Sequence, residues 1–402
     1  MPLRVSLCLF LISDASSHCS VLRHSFRMFA NQDTGTIRGI LGSRNTFGSL
    51  EGADGGMAEI DYKSDPDYIY YYFNIQVADF YEIRRVSKTT GMEVPFSSSS
   101  TRTAIDLPYK AAFQPVTAMN PANQKVFALA VVKEKDRNGD QQPLGKIMIV
   151  KYINHATGSP SSITVKEVFV PPSDPDHYKD ITALAWSWDG NYLYASSLDY
   201  TPGSRRGRVV KCNVNPFSCA PPVAVSSTDQ EIRRLAVDPY NSQRVAAVSV
   251  QESRSRNPHV FVSNDGGMTW ADFTIAGSPV FEAYSGHAVT FIAQGGKSYL
   301  AVGTSGGVFL LIGGTWTPIA SDLPKVPIFD MKYSQEDDKL VIAAFGRGVW
   351  FLPKAFEIAE SKSITSSASL PSVTIDREIA PELQHILIPV NMTSTPPDDF
   401  IF

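Results

Sequence analysis

Apolar residues fall along this chain in short bursts rich in Val, Ile, Leu, Tyr and Phe, each closed by a polar cluster of Asp, Asn, Gly, Pro or Ser. Such bursts predict strands and tight turns, and no stretch keeps the 3.6-residue period of a long helix. The bursts also repeat. One unit, an apolar strand, a polar turn and a second apolar strand, recurs at Met57–Tyr70, Val116–Leu129, Ile181–Tyr194, Ile232–Val245, Ala288–Ala301 and Ile328–Val341. The starts lie roughly 40 to 65 residues apart, the spacing of a four-stranded propeller blade with variable loops. The expected fold is all-β: a β-propeller of six recognisable four-stranded blades with room for a seventh, and a disordered C-terminal tail. The 402 residues then form one ring instead of the several domains that length alone would allow.

The ends follow other patterns. Residues 1–27 read as a leader: Arg4, the apolar stretch Val5 to Ile12 and the small residues Ser13 to Ala15 outline a secretory signal peptide, against the plainer reading of an unstructured start. A signal would make the protein secreted or a resident of the secretory pathway; without one it would be cytoplasmic. Residues 28–353 hold the propeller. Residues 354–402 form a Ser-rich tail with one glycosylation sequon, at Asn391, and one candidate strand, His385 to Val390, able to cover an open sheet edge as far as Pro389 allows.

Ser263-Asn264-Asp265-Gly266-Gly267-Met268-Thr269-Trp270 meets every fixed position of the pattern Ser-x-Asp-x-Gly-x-Thr-Trp. The match resembles the Asp-box, or BNR, repeat of sialidase-like, xyloglucanase-like and sortilin-like propellers. Locally, Asp265 would cap backbone N–H groups, Gly267 would permit positive φ, and Trp270 would pack the turn on the sheet, with Ser263 and Thr269 completing it. In that group such turns are structural and lie away from the catalytic face, so the resemblance implies a fold and not an activity. Gly313-Gly314-Thr315-Trp316 resembles a second Asp box that has lost its Asp, and Ala343 to Trp350 resembles a final blade. The resemblance spans about residues 29 to 353 and implies a chain that enters the ring late.

Composition narrows the function. A 43% hydrophobic content excludes disorder as the main state, and a net charge of −4 excludes the broad basic field of a non-specific nucleic-acid binder. No apolar run reaches the roughly 18 residues of a membrane span. Cys212 and Cys219, either side of a turn signal at Asn215-Pro216, are placed for a small disulfide loop, with two free thiols the alternative. No Cys or His spacing fits zinc, and Asp136 to Asp140 departs from a calcium loop, so no metal and no cofactor is expected.

Arginines gather where loops joining second and third strands should fall: Arg205, Arg206, Arg208, Arg254, Arg256 and Arg347, with Arg233 and Arg234 at the start of an inner strand. Their planar forks suit carboxylate, sulfate or phosphate. The plainer reading is solvated hairpin tips, and His177, His259 and His287 read as surface or core residues. The expected function is a non-catalytic propeller that binds an anionic glycan or an acidic protein segment at its loop face. The alternative is a glycoside hydrolase of the same fold. The sialidase Arg-Ile-Pro motif is absent, Ser305 stands where xyloglucanase-like enzymes carry a carboxylate, and no catalytic carboxylate pair emerges from matched positions.

Overall fold

The computed structural model describes residues 18–367, apart from 22–25, 32–34, 41–45, 52–54, 76–79, 97–101, 107–115, 133–142, 152–153, 155–156, 158–160, 168–178, 202–203, 227–230, 250–258, 275–285, 320–322, 324 and 346. The leader before residue 18, Arg254, Arg256, the sequon at Asn391 and the segment 385–390 lie outside the described residues.

Twenty-eight strands form a propeller ring with six four-stranded antiparallel blades and one three-stranded sheet. The first blade is β1 (His18–Val21), β2 (Phe26–Asn31), β3 (Gly35–Ile40) and β4 (Thr46–Glu51). The second is β5 (Gly55–Asp61), β6 (Tyr68–Ile75), β7 (Phe80–Ser87) and β8 (Arg102–Asp106). The third is β9 (Thr117–Met119), β10 (Phe127–Val132), β11 (Pro143–Lys151) and β12 (Ser162–Glu167). The fourth is β13 (Lys179–Trp186), β14 (Tyr192–Thr201), β15 (Ser204–Val214) and β16 (Phe217–Cys219), with β17 (Val223–Ala224) also beside β15. The fifth is β18 (Ile232–Asp238), β19 (Asn241–Ser249), β20 (Val260–Ser263) and β21 (Ala271–Asp272). The sixth is β22 (Gly286–Gln294), β23 (Lys297–Thr304), β24 (Gly307–Ile312) and β25 (Thr315–Pro318). The three-stranded sheet is β26 (Ile328–Ser334), β27 (Lys339–Ala344) and β28 (Gly348–Pro353).

The opening strands β1, β5, β9, β13, β18, β22 and β26 neighbour one another in turn, and β26 also touches β1, so the ring closes. A late entry into the ring is not what the chain does. Its first blade precedes the Met57 unit, and β1 falls inside residues 1–27, read above as leader. Gly and Ser break the apolar bursts of β3 and β4, so the repeat is invisible there.

Packing between blades makes the core. Along β10, Phe127 and Leu129 face Tyr70 and Tyr72 of the second blade, while Ala128 and Ala130 belong to the cluster holding Trp186 and Ala195 of the fourth. A strand covered on both faces needs a continuous apolar run, which is why second strands such as β10 and β27 lack the alternation of a half-exposed sheet. Full burial of Leu129 or Ile147 contributes about 1.5–3 kcal/mol each. Indole N–H groups tie neighbouring blades: Trp186 donates to the Ala118 carbonyl at 2.8 Å and Trp316 to that of Phe273 at 2.7 Å.

The tail begins as a helix, not as disordered chain. α1 (Ala355–Ser367) buries Ala355 and Ala359, one turn apart, against the last two sheets. Its first turn is capped across the sequence by Asp338, whose carboxylate accepts from the Phe356 N–H at 2.6 Å and from the Tyr333 hydroxyl at 2.9 Å.

Candidate functional site

Antiparallel order fixes two ends of the ring. Turns joining first to second and third to fourth strands share one end; turns joining second to third strands, and links between blades, share the other. The central channel, with a cavity of about 300 Å³, runs between them and is lined by β5, β9, β13, β18, β22 and β26.

At the blade-link end, five inner strands break register near their start. In β13, β18, β22 and β26 the break passes over one residue: Thr182, Arg233, His287 and Phe329. A bulge bends its strand and re-aims the extra side chain, so equivalent blades deliver four chemically different groups to one mouth. Arg234 follows its bulge and lines the channel with Thr182, Asp330 and Lys332. Its Nη1 donates to the Arg233 carbonyl at 3.0 Å and its Nη2 to that of Phe329 at 3.3 Å. These are its only hydrogen bonds among the described residues, out of five N–H groups. Burial holds its pKa below the ordinary arginine value, against the pull of Asp330.

His287 stands next to this guanidinium in charge terms. Burial, then electrostatic interaction with Arg234, His259 and Arg233, pushes its imidazole down to about 4, so it is neutral at pH 7. Its Nδ1 is buried without a hydrogen-bond partner among the described residues. The ring packs on Phe329 at 5.9 Å between centroids, and Phe329 on Phe345 at 5.3 Å. Arg234 in the channel wall thus lies near the aromatic cluster of His287, Phe329 and Phe345.

The opposite mouth is a second cavity, about 220 Å³, that shares Glu59, Trp188 and Lys332 with the channel. Trp188, at the tip of the β13–β14 turn, is 45% exposed. The Lys63 ammonium sits 5.4 Å from its ring centre and 5.5 Å from that of Tyr62, and donates to the Pro121 carbonyl at 3.1 Å. Glu59 accepts from the Met119 N–H at 3.3 Å through Oε1. Protein surrounds this carboxyl except where it meets the channel, and that burial pushes its pKa up to about 7; Asp330 adds to the rise, while Lys332 and the Met119 bond oppose it.

Of the arginines selected from sequence, Arg205 and Arg206 lie not in a loop but on β15, paired with Tyr200 and Asp199. Arg208 also lies on β15, opposite Ser197, and is half-buried. The β14–β15 ladder runs out to the pair Thr201 and Ser204. Arg347 is exposed in the β27–β28 turn that also carries Phe345. The sequence pattern missed Glu59, Asp330, Lys332 and His287, whose only signal was a polar side chain on an otherwise apolar inner strand.

The Ser263–Trp270 segment is the β20–β21 turn, at the end opposite the bulges. Asp265 Oδ1 accepts from the N–H groups of Met268 at 3.0 Å and Thr269 at 2.9 Å, and Oδ2 from the Thr269 hydroxyl at 2.6 Å. The Ser263 hydroxyl accepts from the Gly267 N–H at 2.7 Å, where φ is +86°, and the Trp270 indole donates to the Gly267 carbonyl at 3.2 Å. The Thr269 hydroxyl first, with the N–H groups, draws the Asp265 pKa down to about 2. Cys212 and Cys219 are disulfide-bonded across the β15–β16 hairpin, S–S 2.06 Å. The described residues hold no cluster of three or more metal-ligating side chains, and no helix among them is long and apolar enough to cross a membrane.

No family model and no curated protein matches the chain. Solved structures do match. The extracellular domain of the putative one component system BT4673 from B. thetaiotaomicron is 11% identical, with a TM-score of 0.51 over 86% of this chain and 40% of that one. The WD40 β-propeller domain of Doa1 is 10% identical, with a TM-score of 0.50 over 87% of this chain and 96% of that one. At these identities the likeness concerns the fold alone.

Proposed function

We propose that this protein is a non-catalytic binding propeller of the Asp-box type, which holds an anionic ligand, an acidic protein segment or an anionic glycan, at the blade-link mouth of its channel. The observation that carries the reading is Arg234: a desolvated guanidinium in the channel wall that spends two N–H groups on backbone carbonyls and makes no further hydrogen bond among the described residues. A carboxylate or sulfate would complete its hydrogen bonding bidentately. Exposed Arg347 would add charge at the rim, where Arg233 is already paired with Glu231. A mixed array of acidic peptides and carboxylated or sulfated glycans, probed with the wild type and with Arg234→Ala, tests it. Signals that the variant loses support the reading; an array blank for both proteins, or unchanged by the substitution, refutes it.

A glycoside hydrolase is the second reading, favoured by one observation: Glu59 and Asp330 both line the channel, and burial sets the Glu59 carboxyl to about 7, in the range of a general acid. Against it, Asp330 Oδ1 is bonded to the N–H of Met331 and its charge is opposed by Arg234. A chromogenic glycoside panel decides: turnover that Glu59→Gln abolishes would establish the hydrolase.

A further inference from the structure

We propose a second ligand site at the opposite mouth of the channel, where Glu59 and Lys332 together take the carboxylate of a small acid or acidic side chain against Trp188. Three observations meet there. The cavity of about 220 Å³ is below the range of drug-sized pockets and suits a side chain or a small acid. Glu59 uses only Oε1, toward the Met119 N–H; no other hydrogen bond to it is present among the described residues, and it lines both cavities. Trp188 lies open at the rim, with Lys63 already held between its ring and Tyr62, so the cavity wall carries an ammonium.

Charge decides the ligand's sign. The groups around Glu59 are Lys332 and Asp330 on β26, Lys63 in the β5–β6 turn, Glu336 in the β26–β27 turn and, further along the channel, Arg234 on β18. With Glu59 protonated, the second cavity holds two lysines against Glu336 alone, a net positive charge. A carboxylate then accepts the Glu59 O–H and is favoured by the net positive lining, which disfavours a cation. Ionised Glu59 withdraws the donor and adds a like charge, so binding above the Glu59 pKa takes up one proton from solution.

Isothermal titration with succinate, and separately with a blocked tetraglutamate peptide, distinguishes a free acid from a protein side chain. Affinity should fall about tenfold from pH 6 to pH 8, since a group titrating near 7 loses its proton across that interval. Two buffers of different ionisation heat should reveal proton uptake at pH 8. Glu59→Gln should hold the pH 6 affinity and lose the pH dependence, and Lys332→Ala should weaken binding at both pH values. Arg234→Ala should leave this component intact, so its loss there, with Lys332→Ala silent, would overturn the second site while leaving the first standing. Binding without pH dependence, or with proton release, would also overturn it.

Discussion

The Arg234 guanidinium donates to the backbone carbonyl of Phe329 at 3.3 Å, reaching from the fifth blade past the sixth to the three-stranded sheet. One side chain in the channel wall thus braces the ring. Arg234→Ala should cost roughly 1–3 kcal/mol in urea unfolding, the range for hydrogen bonds to a charged group, and Arg234→Lys should recover only part of it.

Asp265 organises its turn through four acceptor contacts, from the Ser263 and Thr269 hydroxyls and the N–H groups of Met268 and Thr269. Asp265→Ala should lose about 1 kcal/mol of stability and leave ligand affinity unchanged, because the turn lies at the end opposite the bulges. The depressed pKa means that the contribution is complete above the ordinary value of 3.8 and fades as pH falls toward 2. Urea midpoints measured at pH 6 and pH 2.5 for both proteins should converge at the lower pH.

Glu59 behaves in the opposite sense. Below pH 4.5 folded and unfolded chains both hold the proton; between 4.5 and about 7 only the folded chain does, so stability declines as pH rises through that window. Glu59→Gln should therefore stabilise by ~1–3 kcal/mol at pH 8 and change little at pH 4, read as the shift in urea midpoint.

Asp338 links the last sheet to α1 through the Phe356 N–H. Asp338→Ala should cost about 1–2 kcal/mol and expose the helix to early proteolysis, seen as cleavage near residue 355 before the ring unfolds.

Reduction of the Cys212–Cys219 disulfide frees a short hairpin loop. Cys212→Ser with Cys219→Ser should lower stability by about 2 kcal/mol in chain-entropy terms, checked by thermal unfolding beside the reduced wild type.

The ring was legible in the sequence because its evidence is local: six strand-turn-strand units and the Ser263–Trp270 turn announce themselves within fifteen residues or fewer. The first blade escaped because Gly39, Gly48 and Ser49 interrupt its strands. Arg205 and Arg206 read as loop because charge clusters usually mark turns, but their ladder with Asp199 and Tyr200 draws them into β15. Glu59, Arg234 and His287 could be seen only as polar residues on inner strands. Which end of the channel each one serves depends on bulges and on neighbours from other blades, and a repeat pattern carries neither.

The most direct test of the central claim is the salt dependence of ligand binding at the Arg234 mouth. Fluorescence anisotropy with the strongest anionic ligand from the array, at 50 and 300 mM salt, should show affinity falling with salt for the wild type and a weaker, flatter response for Arg234→Ala. Equal affinity and equal salt response in the two proteins would contradict an anion site built on this arginine.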